Sequence, residues 1–223
     1  MGDGAVSLIM TGYHPRDEGS RMDGNRSQIA LVVVDMQNAY CHEQGSLARQ
    51  GVDISACRNV IGNVKKILET FRKESLPVIF LYLAFEKDYH DGGAMAHEIW
   101  PFFKGKGGLL DGTWDAAIVD ELKPLPEEIV IRKTRYSGFS GTNLDYRLRY
   151  MGIETLIVCG VTTNICVEST VRDAFHLGYK VVLISDGTAE IDEERYRASL
   201  KTMEYAFGKV ITTEQLASFL DKE

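Results

Sequence analysis

The reading of the chain turns on Glu154-Thr155-Leu156-Ile157-Val158-Cys159-Gly160-Val161-Thr162-Thr163-Asn164-Ile165-Cys166-Val167-Glu168-Ser169-Thr170-Val171-Arg172-Asp173-Ala174-Phe175. Thr155 to Cys159 is a short, mostly β-branched apolar run, as expected of a strand buried on both faces, and Gly160 is expected to end it. Beyond it, Ile165, Ser169, Arg172 and Asp173 alternate by threes and fours with Val167, Val171, Ala174 and Phe175, which predicts a helix capped by Thr162, Thr163 or Asn164. Cys166 then falls in the first turn of a helix leaving the carboxyl end of a buried strand, where open α/β sheets place their ligands. Free backbone N–H groups and the positive end of the helix dipole favour a thiolate there, so this position is expected to lower the Cys166 pKa. Packing is the ordinary alternative, because free cysteine is among the most buried residue types.

Working outward, strands and helices alternate along the chain. Ile29 to Val34 is a continuous apolar strand ending in Asp35-Met36-Gln37-Asn38-Ala39-Tyr40, and Asp35 is either a cap or a group held at the ligand edge of the sheet. Ser55 to Phe71 carries Val60, Ile61, Val64, Ile67, Leu68 and Phe71 at helical spacing, with Lys65, Lys66 and Glu69 on the other face. Pro77 opens a strand at Val78 to Leu83. The segment Ala84 to Gly112 follows, rich in glycine but also in Phe85, Tyr89, Trp100, Phe102 and Phe103, and is expected to be a pocket wall or subunit contact. A short helix is expected over Trp114 to Leu122 and a third strand over Glu128 to Ile131, leading into Lys133. Further helices are expected at Leu144 to Tyr150, Asp192 to Tyr205 and Thr213 to Leu220, and strands at Lys180 to Ile184 and Lys209 to Thr212. The pattern predicts an α/β fold of three α/β/α layers around a six-stranded, mostly parallel, Rossmann-like sheet. Residues 1–28, rich in Gly, Asp, Arg and Ser, are expected to form an extension or arm, with one domain over 29–223.

The whole-chain properties narrow the function classes. With 223 residues and 44% hydrophobic content, one domain with a sizeable core is the default. A net charge of −7 argues against nucleic acid and anionic membrane surfaces, which require clustered Lys and Arg. No apolar run approaches the ~20 residues of a membrane span. The amino terminus lacks a basic region before its apolar patch, so no secretory leader is expected. Cys41, Cys57, Cys159 and Cys166 form neither a CxxC nor a zinc spacing, and together these features point to reduced thiols in the cytoplasm.

Asp35, Lys133 and Cys166 follow different strands of one parallel sheet, so they are expected to meet at its carboxyl edge. The set is chemically coherent. A thiol nucleophile needs a base for its proton, and a cation beside that base keeps it ionised. The segments Leu31 to Asn38, Lys133 to Phe139 and Gly160 to Val167 resemble the three signature segments of the isochorismatase-like cysteine hydrolases, in order, over a stretch from about Gln28 to the carboxyl terminus. Lys133, Arg135 to Phe139, Asp145, Cys166 to Thr170, Arg172-Asp173 and Trp114 most resemble the ureidoacrylate amidohydrolase branch.

The resemblance implies that Asp35 is the general base, Lys133 its cationic partner and Cys166 the nucleophile. It also implies a cis peptide between Val161 and Thr162, aiming the N–H groups of Thr162 and Cys166 at an oxyanion, and a homo-oligomer, dimer or tetramer. The implied activity is cleavage of a C–N bond in a small ureido, carbamoyl or amide substrate through a thioester, without metal or other cofactor. Asn38, Tyr40 and Tyr136 follow Asp35 and Lys133 closely and are candidate substrate contacts, with plain packing the alternative for each tyrosine. The Asp-x-His pair of the related nicotinamidases is missing from Tyr82 to His90, although Asp88, His90 and His97 lie nearby. Isochorismatases proper lack the nucleophilic cysteine, which weighs against vinyl-ether hydrolysis. Other amidases of the superfamily (maleamate, biuret or nicotinamide type), a non-catalytic binding protein on the same fold, and a redox thiol pairing Cys166 with Cys159 are the rival readings.

Overall fold

The computed structural model of the protein describes residues 28–222. The expected extension over 1–28 lies outside these residues except for Gln28, which bonds to Glu154 beside the first strand. Six strands, β1 (Ile29–Val34), β2 (Val78–Leu83), β3 (Ile129–Lys133), β4 (Thr155–Val161), β5 (Lys180–Ala189) and β6 (Lys209–Ile211), form one sheet in the order β3-β2-β1-β4-β5-β6. Every adjacent pair is parallel. The helices are α1 (Asn38–Cys41), α2 (Ser55–Asn59), α3 (Ile61–Lys73), α4 (Phe102–Lys106), α5 (Leu144–Tyr150), α6 (Glu168–His176), α7 (Glu193–Ala206) and α8 (Thr213–Leu220). No helix among the described residues is long and apolar enough to cross a membrane.

The unbroken apolar run of β1 is explained by its position. Ile29, Leu31 and Val33 enter a core shared with Val64, Ile67, Leu68 and Phe71 of α3 and Leu216 and Leu220 of α8. Ala30, Val32 and Val34 face the opposite core, with Leu144 and Leu148 of α5, Val171 and Ala174 of α6 and Met203 of α7. Because side chains alternate along a strand, a central strand of a three-layer fold must be apolar at every position.

Several elements differ from the sequence reading, each for an identifiable reason. Gly160 continues β4 instead of ending it, with φ at +118°, where a Cβ would stand 2.0 Å from the Val34 carbonyl oxygen. Only glycine permits that approach between β1 and β4. β5 runs past the expected end at Ile184 to Ala189 through Ser185-Asp186-Gly187, because pairing with β4 resumes at Gly160–Thr188 and Val161–Ala189 after a register shift. Trp114 to Leu122 is irregular except for one 3₁₀ turn at Asp120–Leu122. The carbonyls a helix would use are taken instead: Asp115 O by Ala39 N at 2.8 Å, Ala117 O by Asn38 N at 2.9 Å and Ala116 O by Gln37 Nε2 at 2.7 Å. Ser55 to Phe71 is two helices with Val60 at the join.

Candidate active site

The strand order reverses between β1 and β4, the position at which open α/β sheets leave a crevice beyond their carboxyl ends. Asp35 leaves β1 on one side of it and the Cys166 turn leaves β4 on the other. Asp35 is fully buried and holds φ at +51°, in the left-handed region that Asp tolerates better than most residues. Its side chain does not cap α1, whose amino end at Gln37 has no side-chain cap. Instead Oδ2 accepts from Lys133 Nζ at 2.7 Å. Lys133 is the last residue of β3, paired in register with Leu83 of β2, so its long side chain crosses the end of β2 to reach the residue after β1. It is 1% exposed and also donates to Arg135 O at 3.2 Å. Cys166, 4% exposed, lies in a wide π-type turn, Thr163–Val167, that precedes α6.

Burial pushes the Asp35 carboxyl above the usual carboxylate range, while Lys133 and the Cys166 thiol pull it back. Burial also acts to lower Lys133, but Asp35 and then Cys166 outweigh it and hold Lys133 as an ammonium. Asp35 Oδ1 has no hydrogen-bond partner, leaving a buried acceptor in a pair whose other oxygen is occupied. The thiol departs from expectation: the Cys166 pKa is raised, first by burial and then by the Asp35 charge, with Lys133 opposing. Desolvation at this buried turn outweighs the favourable helix end. The resting group is therefore a thiol beside an acceptor rather than a standing thiolate.

The turn carrying Cys166 is fastened from several sides. Thr188 on the extended β5 donates to Gly160 O at 2.7 Å, and its Oγ1 lies 2.9 Å from Thr163 Oγ1. Thr170 donates to Cys166 O at 2.7 Å and accepts from Gly138 N at 3.0 Å, tying α6 to the segment after β3. The Val161–Thr162 peptide is cis. On α6, Glu168 and Arg172 form an i,i+4 pair with bonds of 2.6 and 2.9 Å, and Glu168 also accepts from Ser199 of α7.

Cys166 opens into a cavity of about 110 Å³. Tyr40, Tyr136 and Thr162 line it. Burial, then Asp35 and Cys166, raise the Tyr40 pKa, keeping its phenol protonated beside the pair. Asn38 is not part of this wall; its side chain donates to Trp114 O at 2.8 Å and supports the segment behind α1. Gln37 has a similar stitching role, bonding Leu83 through both its amide N and O. The remaining wall contains Trp100, Phe102 and Phe103, from the segment expected to be a pocket wall or subunit contact, and Ile165, Glu190 and Arg195, which did not stand out as site residues in the sequence. The aromatic content of the 84–112 segment was the available signal for the first three. Tyr89 holds that segment in place: its hydroxyl donates to Gly108 O at 2.7 Å and lies 3.0 Å from Phe103 O.

The isochorismatase domain model matches residues 29–215. The chain belongs to the isochorismatase family. It is 40% identical to a protein named ureidoacrylate amidohydrolase RutB from Agrobacterium fabrum, over 88% of this chain and 91% of that protein. A cysteine hydrolase from Pseudomonas syringae pv. phaseolicola superposes with a TM-score of 0.81 at 32% identity, covering 89% of this chain and 94% of its own. An N-carbamoylsarcosine amidase from Thermoplasma acidophilum gives 0.70 at 30% identity, covering 83% of this chain and 96% of its own.

In this isochorismatase-family chain, His90 pairs with Glu86 at 3.1 Å, and His97 Nε2 lies 2.9 Å from Tyr89 O. No group of three His, Cys, Asp or Glu among the described residues is placed to hold a metal ion. Cys159 sits within β4 in the core of α3 and α8, whereas Cys166 belongs to the core on the other face. The two cysteines pack into cores on opposite faces of the sheet, which argues against the redox pairing.

Proposed function

We propose that this enzyme, a hydrolase of non-peptide C–N bonds, works through Cys166 on a small ureido or carbamoyl acid. The observation that carries the reading is the buried 2.7 Å Asp35–Lys133 pair, whose carboxylate interacts with the Cys166 thiol. Asp35 takes the Sγ proton as sulfur attacks the substrate carbonyl, and the N–H groups of Thr162 and Cys166 stabilise the oxyanion. Lys133 stays protonated and keeps the carboxylate in place. The proton held by Asp35 passes to the leaving nitrogen, the C–N bond breaks, and ammonia or an amine departs, leaving a thioester. Asp35 then deprotonates water, hydroxide attacks the thioester, and the proton returns to sulfur. Where the acyl group is carbamoyl, the carbamate released decays to ammonia and CO2.

The raised thiol pKa suits this sequence, since proton removal is coupled to attack. The names of the two amidase relatives support a carbamoyl substrate, with Tyr40 and Tyr136 as substrate contacts lining the cavity. Asn38 belongs to the same proposal as a support of the wall behind Tyr40. A cytoplasmic location and a homo-oligomer are part of this reading, the latter supported by exposed Tyr146, Tyr150, Phe175 and Tyr205.

The test is ammonia release from a panel of ureido and carbamoyl acids, maleamate, nicotinamide and biuret, with Cys166→Ala alongside and chelator in a parallel series. Chelator-insensitive turnover of the ureido or carbamoyl members, reduced roughly 10⁴-fold or more in Cys166→Ala, is expected. A Cys166→Ala protein with near-native rate sinks the assignment.

A further inference from the structure

Glu190 follows directly on β5 and is 5% exposed, yet the steps above do not use it. It lines the cavity into which Cys166 opens. Its carboxylate accepts from Ile191 N at 3.0 Å and from Asn164 N at 3.3 Å, one backbone donor per oxygen. Arg195 Nη2 is 3.9 Å away, beyond hydrogen-bond distance, on a side chain 55% exposed and also near Asp192. An ionised carboxylate has about four acceptor sites, and a buried one is costly until they are used. Two backbone bonds leave acceptor capacity on a cavity wall that combines apolar Leu47, Val52 and Ile165 with the polar groups of Tyr40, Tyr136 and Arg195. The chemical complement of the free acceptor positions on Glu190 is a ligand that brings N–H donors.

We propose that Glu190 is a specificity residue, accepting an N–H of the substrate's carbamoyl or amide group while the neighbouring carbonyl lies against Cys166. The inference rests on the amidohydrolase reading and deepens it: the site selects substrates by their N–H groups, not only by a reactive carbonyl. A site built around a buried acceptor discriminates strongly against analogues that leave that acceptor unpaired. Glu190 also holds Asn164 at the start of the nucleophile turn, so the test must separate recognition from support of the turn.

Glu190→Gln keeps the size and removes the charge. Its kcat and KM are compared with wild type on an N-carbamoyl acid and on p-nitrophenyl acetate, which has a reactive carbonyl and no N–H. Modification of Cys166 by methyl methanethiosulfonate, with Cys166→Ser as control, reports the turn. The expected result is a fall in kcat/KM of about ten- to a hundred-fold on the carbamoyl acid, mainly through KM and at least tenfold larger than the fall on the ester. Equal losses on both substrates with slower thiol modification would assign Glu190 to the turn alone, and no loss on either would remove it from the site; both overturn the proposal. If Glu190→Gln does not fold, Glu190→Asp supports the same comparison. Wild-type protein that hydrolyses no amide or ureide overturns the amidohydrolase reading and this inference with it, whereas wild-type turnover with equal variant losses overturns this inference alone.

Discussion

The two sides of the Cys166 cavity are built differently. On one side Asp35, Lys133 and Cys166 hang from β1, β3 and β4, whose ladders, cores and buried 2.7 Å ion pair fix each side chain. On the other, Trp100, Phe102, Phe103 and Tyr136 come from the connections after β2 and β3, Phe102 and Phe103 in the short α4, with contacts such as the 3.2 Å bond from Trp100 Nε1 to the Tyr136 hydroxyl. Groups that must meet within a few tenths of an ångström sit on the rigid side, and groups that shape the space around a ligand sit on the adaptable one. Variants on the strand side should therefore change the rate of the chemical step, and variants on the loop side should change substrate affinity.

The largest departure from wild type among non-nucleophile variants is expected for Asp35→Asn. The amide is nearly isosteric but cannot take the thiol proton, so kcat should fall about 10²- to 10⁴-fold with KM little altered. A matching rise in KM would show that Asp35 also shapes the binding surface, and the division between the two sides would fail. Lys133→Met ranks next. Removing one member of a buried pair costs on the order of 3–5 kcal/mol where the other stays charged, measurable by denaturant titration. Lys133 opposes the burial that raises the Asp35 pKa, so its loss should raise that pKa further. Two consequences have fixed signs. The acid limb of kcat/KM moves to higher pH, because Asp35 must be ionised to act. A carboxyl whose pKa is higher in the folded than in the unfolded state retains its stability in acid and loses it as pH rises through the folded value. The variant should thus be closest to wild-type stability at low pH. An unshifted acid limb would separate Lys133 from the ionisation of Asp35.

The same division explains what could be read without coordinates. Buried parallel strands require unbroken apolar runs, and a charged residue at their end interrupts the pattern, so β1, β4, Asp35 and the Cys166 turn were visible in the composition of single segments. Lys133 was visible as a residue near a strand end, but not as the last ladder residue, because Arg132 and Lys133 are polar positions inside β3. The continuation of β5 was hidden because Ser185-Asp186-Gly187 has turn chemistry, and only its distant partners Gly160 and Val161 keep it extended. Glu190 was lost with it, falling in what looked like a connection. The expected depression of the Cys166 pKa followed from local helix geometry, whereas burial, a property of the whole packing, sets the opposite sign.

Tyr136→Phe is the smallest and most discriminating change. Tyr136 lines the cavity and its hydroxyl accepts from Trp100, which is 37% exposed at the edge. Water can replace the lost acceptor, so the net loss should be near the 0.5–1.5 kcal/mol of an ordinary hydrogen bond, about a two- to tenfold effect. If the loop side governs affinity, that effect appears in KM while kcat changes less. The chain has 2 tryptophans, so in a Trp114→Phe background the emission comes from Trp100 alone. Tyr136→Phe should then shift that emission to the red as the indole is released to water. A red shift with altered KM ties closure of the aromatic wall to substrate binding. A red shift accompanied by a change in kcat alone would show that this wall positions the reacting atoms, placing the loop side within the rigid half of the site.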